Sequence, residues 1–336
     1  MGGSSFTVDV HTHPVPESYR RALLGAGYGS SNASDLFVDG FRTPEWTLDG
    51  YLEDCTAFGY NYSILSITAP GLSFLRGNAR ARTLARELND EMSGWMGQHP
   101  KRLGAFGILP LPDINASLAE IAYCLDELGF DGIGLYTNVD GVYLGDSLFD
   151  PIMAELDRRN ATVFVHPAGP TESPALDNMS LPVIEYPFDT TRAIANMLFK
   201  QTRLRYPNMK IIWSHAGGTV PFLASRLALQ STLPWHGGRD FEGSYSELQG
   251  YYYDTAVTLG NAQFAALKEF VGDDKIVTGS DFPYMPASAV PIAQAALESY
   301  HGFTEWDRER IAWKNAFELF PALKTKFPEV VANSTT

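Results

Sequence analysis

The chain has 336 residues, of which 45% are hydrophobic and 19% are charged, and its formal net charge is −14. This acidic balance argues against nucleic acid or an acidic membrane surface as a partner, because both require a basic face. The sequence holds no run of about 18 apolar residues, so no membrane span is expected. It has only two cysteines, Cys55 and Cys124, which predicts small buried thiols in a cytoplasmic protein and not a disulfide framework.

Eight short β-branched or apolar runs are predicted as strands. In chain order they cover residues 6–11, 62–67, 103–109, 132–135, 162–166, 210–215, 251–254 and 276–280. Helical patterns lie between most of them, such as Leu84, Leu88 and Met92 at a spacing of four residues. Further helices are predicted at residues 113–128, 151–159, 190–206, 221–230, 261–271 and 286–300.

This alternation of strand and helix predicts a single distorted (β/α)8 barrel that occupies residues 1–336 as one domain. Two segments break the alternation, at residues 17–43 and 167–188. The first is rich in Gly, Ser and Asn, and the second contains five prolines. Both follow the carboxyl end of a strand, where barrel enzymes place their active sites, so they are predicted to form pocket walls or lids.

Histidines and one aspartate mark the ends of four predicted strands. His11 and His13 are separated by one residue, so both side chains project from the same face of the first strand. His166, His215 and Asp281 end the fifth, sixth and eighth strands. Imidazole and carboxylate groups that converge in this way predict a catalytic site for one divalent ion, with zinc as the first choice and manganese as the alternative. His236, in a loop beside Trp235, is a weaker pocket candidate.

Several motifs together resemble the second amidohydrolase family. This family includes the aminocarboxymuconate-semialdehyde, γ-resorcylate and 6-methylsalicylate decarboxylases. The matching stretches are DVHTH at 9–13, GIGLYTN at 132–138, VHP at 165–167, SHAGGTVPF at 214–222, YDTA at 253–256, GSDFP at 279–283 and NAFELF at 315–320. The resemblance extends from Val8 to about Phe320.

The resemblance implies a mononuclear site with four metal ligands: His11, His13, His166 and Asp281. It further implies that His215 stays off the metal as an acid–base residue. Relatives with two bridged metals carry a carbamylated lysine on the fourth strand, and residues 131–135 contain no lysine here. Members of the family commonly form dimers, so a homodimer is expected.

Two reactions remain open at this point, decarboxylation of a salicylate-type acid and hydrolysis of a lactone or ester. Aromatic residues near the catalytic face favour decarboxylation, because they could orient an aromatic ring. These predicted substrate contacts are Trp46, Tyr136, Phe188, Phe282 and Tyr284. Arg42 is predicted to hold the substrate carboxylate, since its planar guanidinium suits a carboxylate.

Two features of the resemblance point toward one branch of the family. The γ-resorcylate enzymes have Glu in place of His11 and a Glu shortly after His215, and this chain has neither. The first motif, the long first loop and the length are similar to the 6-methylsalicylate decarboxylases. The implied reaction converts 6-methylsalicylate to m-cresol and carbon dioxide, with Asp281 delivering a proton to the ring and His215 controlling its protonation.

Overall fold

The computed structural model describes residues 6–29, 35–173 and 176–333. Eight parallel strands form one sheet in chain order. They are β1 (Val8–Thr12), β2 (Tyr62–Leu65), β3 (Leu103–Gly107), β4 (Gly132–Tyr136), β5 (Thr162–His166), β6 (Lys210–Trp213), β7 (Tyr252–Asp254) and β8 (Ile276–Val277). The eight predicted strands are therefore all present.

The sheet curls into a nearly closed barrel. The Val10 amide donates a hydrogen bond to the Thr278 carbonyl at 2.9 Å, and Thr12 forms a parallel bridge with Phe282. These contacts join β1 to the segment around and after β8. The predicted (β/α)8 fold is confirmed, and the carboxyl ends of all eight strands meet at one face.

Helices cover the outside of the barrel and its amino-terminal end. The α-helices are Glu17–Gly25, Leu48–Phe58, Ala79–Gln98, Ile114–Ala122, Asp150–Arg158, Glu185–Phe199, Thr202–Arg205, Val220–Ser231, Phe241–Gln249, Asn261–Val271, Val290–Ser299, Glu305–Glu309, Asn315–Leu319, Ala322–Lys326 and Pro328–Asn333. None of the helices in the described ranges combines the length and the apolar composition needed to span a bilayer.

Apolar side chains fill the barrel below the strand ends. Phe106 and Phe164 stack with ring centroids 5.3 Å apart, and the His11 ring lies against Phe164 at 4.9 Å. Trp313 and Phe317 belong to the same buried cluster, so the carboxyl-terminal helices close the bottom of the barrel. The histidines at the strand ends therefore lie on the packed apolar core of the barrel.

The two long segments contain more regular structure than the sequence predicted. The first holds the helix Glu17–Gly25, whose buried Tyr19 and Leu23 lie four residues apart, and the strands Phe37–Val38 and Phe41–Arg42, which pair as an antiparallel hairpin. The second holds a short helical turn, Leu181–Val183. The helix that follows begins at Glu185 rather than at residue 190. Residues 30–34 and 174–175 of these segments lie outside the described residues.

Candidate metal centre

Two strands, β1 with the residue that follows it and β5, and the turn after β8 bring four predicted ligands to one point. The ligand atoms of His11, His13, His166 and Asp281 all lie within 4.8 Å of one another. The three histidines are buried, and the Asp281 side chain is 13% exposed. The fold therefore gathers residues that are up to 270 positions apart in the sequence, because parallel strands end at the same face of the barrel.

Each of the three imidazoles is held from behind at its Nδ1 atom. His11 Nδ1 donates to Asp254 Oδ2 at 2.6 Å, His13 Nδ1 to the Ser66 carbonyl at 2.9 Å, and His166 Nδ1 to the Pro167 carbonyl at 2.8 Å. A proton at Nδ1 leaves the Nε2 lone pair free to bind a metal.

The Nε2 atoms face a shared centre at short range. His11 Nε2 and His13 Nε2 are 2.9 Å apart, and Asp281 Oδ1 lies 3.3 and 3.2 Å from them. Two lone pairs at this separation repel unless a proton or a cation lies between them. The donor set of three nitrogens and one carboxylate oxygen therefore fits a divalent metal ion.

Burial and neighbouring charges set the protonation of these groups. Burial alone would lower the pKa of His11, but the carboxylates of Asp254 and Asp281 outweigh it and raise the pKa to about 10. Burial lowers the pKa of His13 and, together with the neighbouring histidines, lowers the pKa of His166 well below its usual value. His13 and His166 are thus neutral, which is the form that ligates metals. His11 would have to release its Nε2 proton when a metal ion binds.

The Asp281 carboxylate connects the other three candidate ligands to His215. The four candidate ligands, His11, His13, His166 and Asp281, are called the metal cluster below. Burial would raise the pKa of Asp281, but its close contacts with the imidazoles of His11, His13 and His215 outweigh burial and hold the pKa well below the usual range. Its Oδ2 atom lies 3.5 Å from His215 Nε2. Both Asp281 and His215 have positive φ angles, 60° and 53°, a conformation that is uncommon for residues other than glycine.

Asp254, at the end of β7, was missed as a functional residue in the sequence. Its Oδ2 atom accepts from His11 Nδ1, and its Oδ1 atom accepts from the His215 amide at 2.8 Å. It is fully buried. The signal was available, since Asp254 ends a predicted strand just as the other acidic and histidine residues do.

A cavity of about 550 Å³ opens above the metal cluster, and His166, His215 and Asp281 lie at its inner end. Its walls are largely apolar, and most of the apolar lining comes from four parts of the chain: Val38 and Phe41; Pro182, Val183, Tyr186 and Pro187; Val257 and Leu259; and Tyr284, Met285, Pro286 and Ala289. Of the residues that the structure describes, no lysine or arginine lines it. Its size and composition are typical of a small-molecule site.

Tyr284 is the one predicted substrate contact that lies on the described cavity wall. Its ring stands edge-on to the His13 ring, with the centroids 5.8 Å apart. Tyr284 therefore lies in the cavity wall beside the candidate ligand His13.

Arg42 lies elsewhere, contrary to the sequence prediction. Its side chain is 64% exposed and pairs with Asp35, with Nη2 and Oδ1 2.8 Å apart. Side chains alternate along the hairpin, so the neighbouring Phe41 lines the cavity while Arg42 faces solvent.

The remaining predicted contacts also lie outside the cavity wall. Trp46 packs against Trp95 with ring centroids 4.9 Å apart, and the Tyr136 hydroxyl donates to the Ile67 carbonyl at 2.6 Å. Phe282 is buried against Phe58. Phe188 belongs to the helix that begins at Glu185, and its side chain is exposed.

His236 is likewise distant from the metal cluster. Its ring stacks on Phe199 with the centroids 4.7 Å apart, and it does not line the cavity.

Comparison with known proteins agrees with this geometry. A family model described as Amidohydrolase matches residues 8–322. The chain belongs to the amidohydrolase family. The family predicted from the sequence motifs is thereby confirmed.

The chain is also similar to individual proteins over nearly its full length. The chain is 35% identical over 322 residues to a 6-methylsalicylic acid decarboxylase of Penicillium expansum, covering 94% of this chain and 97% of that protein. A crystal structure of an amidohydrolase II shares 29% identity and a TM-score of 0.86, covering 94% of this chain and 99% of that one. A dihydroxybenzoic acid decarboxylase from a Polaromonas species, crystallised with manganese and an inhibitor, shares the fold with a TM-score of 0.76 and 20% identity over 94% and 97% of the two chains.

Proposed function

We propose that this chain catalyses the metal-dependent, non-oxidative decarboxylation of a salicylate-type acid, with 6-methylsalicylate going to m-cresol and carbon dioxide. The observation that carries this proposal is the combination of a buried three-histidine, one-aspartate cluster with an apolar cavity directly above it. The similarity to a relative named for this reaction, over nearly the full length of both chains, supports it.

The cavity contains one place suited to an anionic carboxylate. Lysine and arginine are absent from its described lining residues, so the carboxylate is expected at the inner end, beside the metal cluster. His11, His13, His166 and Asp281 would hold the metal, for which zinc is our first choice because of the nitrogen-rich donor set, with manganese as the alternative. When bound, the metal supplies positive charge for the carboxylate and the neighbouring hydroxyl oxygen of the substrate.

The residues of the chain account for orientation and for proton transfer. The apolar walls hold the aromatic ring and exclude water from it. Asp281 Oδ2, which faces both the cavity and His215 Nε2, takes a proton from His215 and delivers it to the ring carbon that carries the carboxylate. The bond to the carboxylate carbon then breaks, its electron pair returns to the ring, and carbon dioxide leaves.

A substrate pair tests the proposal directly. The protein, with its metal content measured, is incubated with 6-methylsalicylate and with the methyl ether of the same acid. We expect carbon dioxide and m-cresol in equal amounts from the first, and turnover at least roughly a hundredfold slower with the ether, since it offers no free ortho-hydroxyl. Release of an acid from a lactone, with no carbon dioxide from either aromatic acid, would instead establish the hydrolase alternative.

We further propose a cytoplasmic homodimer. Two apolar side chains of the cavity lining, Val183 and Leu259, are exposed, and Phe222 on the helix Val220–Ser231 is 88% exposed. Large apolar side chains exposed in this way suit a surface that a second copy of the chain covers. Cys55 and Cys124 are both buried and unpaired, which suits a reducing compartment. Light scattering coupled to size-exclusion chromatography tests the dimer, and a monomeric mass across the micromolar range would contradict it.

A further inference from the structure

The tip of the hairpin Phe37–Val38/Phe41–Arg42 is bonded to the opposite wall of the cavity. The Asp39 carboxylate accepts a hydrogen bond from the Tyr186 hydroxyl at 2.7 Å, and the backbone of Gly169 bonds to the same carboxylate. The Asp39 carbonyl accepts from the Leu181 amide at 3.0 Å. One residue therefore connects the two long segments, which are well over 100 positions apart in the sequence.

The contact between these segments is closely packed. A Cβ atom added to Gly169 would lie 2.9 Å from Asp39 Oδ2, and one added to Gly40 would lie 3.3 Å from the Ser180 Cα atom. A side chain at either glycine would be crowded by the opposite segment, so the two wall segments are in van der Waals contact here.

The bond from Tyr186 determines what this residue presents to the cavity. Tyr186 is buried, lines the cavity and places its ring perpendicular to the His166 ring, with the centroids 5.9 Å apart. Because the Tyr186 hydroxyl donates to Asp39, it points toward the hairpin. The apolar ring of Tyr186 therefore forms the part of the cavity wall that lies beside His166.

Turn chemistry explains the backbone of Asp39 but leaves its side-chain bonds to be explained. Asp39 and Gly40 have φ angles of 53° and 75°, the pattern of a two-residue hairpin turn that favours Asp-Gly. Asp140 and Gly141 have φ angles of 50° and 80° in the hairpin Asn138–Val139/Val142–Tyr143. Asp140 is exposed, so it provides a matched control for the turn alone.

We infer that Asp39 is a positioning residue for the substrate. It holds the two wall segments together and fixes the position of the Tyr186 ring, so that the cavity keeps the width that an aromatic acid requires. The substrate in this inference rests on the proposed function, whereas the contact between the two wall segments is a property of the fold that can be measured without turnover.

Kinetics of Asp39→Ala and Asp140→Ala test the substrate side of this inference. We expect Asp39→Ala to raise the KM for 6-methylsalicylate about tenfold, the effect of losing a hydrogen bond to a charged group, with kcat within about threefold and metal content unchanged. Asp39→Asn, which retains an acceptor, should recover part of the loss. Tyr186→Phe should raise KM as well, and the double variant with Asp39→Ala should be no worse than the poorer single variant, because both remove the same bond.

Hydrogen exchange tests the contact between the two wall segments independently of the reaction. The amides of Gly169 and Leu181 should exchange faster in Asp39→Ala than in the parent or in Asp140→Ala. If Asp39→Ala changed neither the exchange rates nor KM, the inference would be overturned. It would also be overturned if this variant lost kcat and metal content while its KM rose, because such a general loss would show damage to the whole site. If the parent protein decarboxylates no aromatic acid, the proposed function fails, and the exchange rates still decide whether Asp39 joins the walls.

Discussion

The floor and the walls of the cavity are built in different ways. The floor consists of the four candidate metal ligands, His11, His13, His166 and Asp281, and its three imidazoles are held at Nδ1 by a carboxylate or a backbone carbonyl. The walls come from a hairpin, a proline-rich segment and turns, and they contribute mainly apolar contacts. Under the proposed function, the floor would determine the chemistry, while the walls would determine which ring is accepted. It follows that floor variants should change kcat and metal content, and wall variants should change KM.

Removal of a floor ligand should give the largest effect. We expect His166→Ala to lose the metal and to reduce kcat/KM by roughly a thousandfold or more, since a catalytic metal contributes several kcal/mol. Elemental analysis and the decarboxylation assay measure the two losses. The exposed His301 provides the control, and His301→Ala should keep both. If His166→Ala were fully active, the floor residues would have no part in the reaction.

His215→Asn should separate acid–base function from metal binding. The side chain lies outside the four-ligand cluster, so we expect the variant to keep its metal while kcat falls about a hundredfold to ten-thousandfold, the usual range for an acid–base group. Turnover at the parental rate with metal fully loaded would show that the proton follows another route.

Asp254→Asn tests whether the hydrogen bond from His11 Nδ1 to Asp254 contributes to metal affinity. Loss of the carboxylate that holds His11 Nδ1 should weaken metal binding about tenfold to a hundredfold, as is typical for groups that orient a metal ligand. Competition with a chelator measures the affinity, and Asp274→Asn, at an exposed carboxylate, is the control. Equal affinities in the two variants would mean that the other contacts orient His11 adequately.

The smallest effects should come from the hairpin, where adjacent residues face opposite ways. We expect Phe41→Ala to raise KM about fivefold through the loss of an apolar wall contact, with kcat nearly unchanged. Arg42→Ala should change KM less than twofold, because this arginine pairs with Asp35 in solvent. A KM increase in Arg42→Ala as large as that in Phe41→Ala would restore Arg42 as a substrate contact.

The same contrast explains how much the sequence could predict. The positions of the floor residues depend on topology alone: once β1, β5 and the end of β8 belong to one parallel barrel, His11, His166 and Asp281 must approach one another. Asp254 obeys the same rule, and it was missed because it supports a ligand rather than binding the metal. Its role becomes visible only when the distance to His11 Nδ1 is known.

The walls could not be predicted at the level of single residues. The sequence indicated the right segments, but a shift of one position along a short hairpin decides whether Phe41 or Arg42 faces the cavity. The helix Glu17–Gly25 was not predicted, because the glycine- and serine-rich composition of residues 17–43 favoured a loop; the spacing of Tyr19 and Leu23 by four residues was the available signal. For Trp46 and Tyr136, packing against Trp95 and a hydrogen bond to Ile67 took the side chains away from the site.

The two oxygens of Asp254 also have an evolutionary consequence. One oxygen accepts from the His11 ring and the other accepts from the His215 amide, so any mutation that moves this carboxylate alters the surroundings of both histidines at once. Compensating changes at positions 11 and 215 should accompany each other whenever position 254 varies.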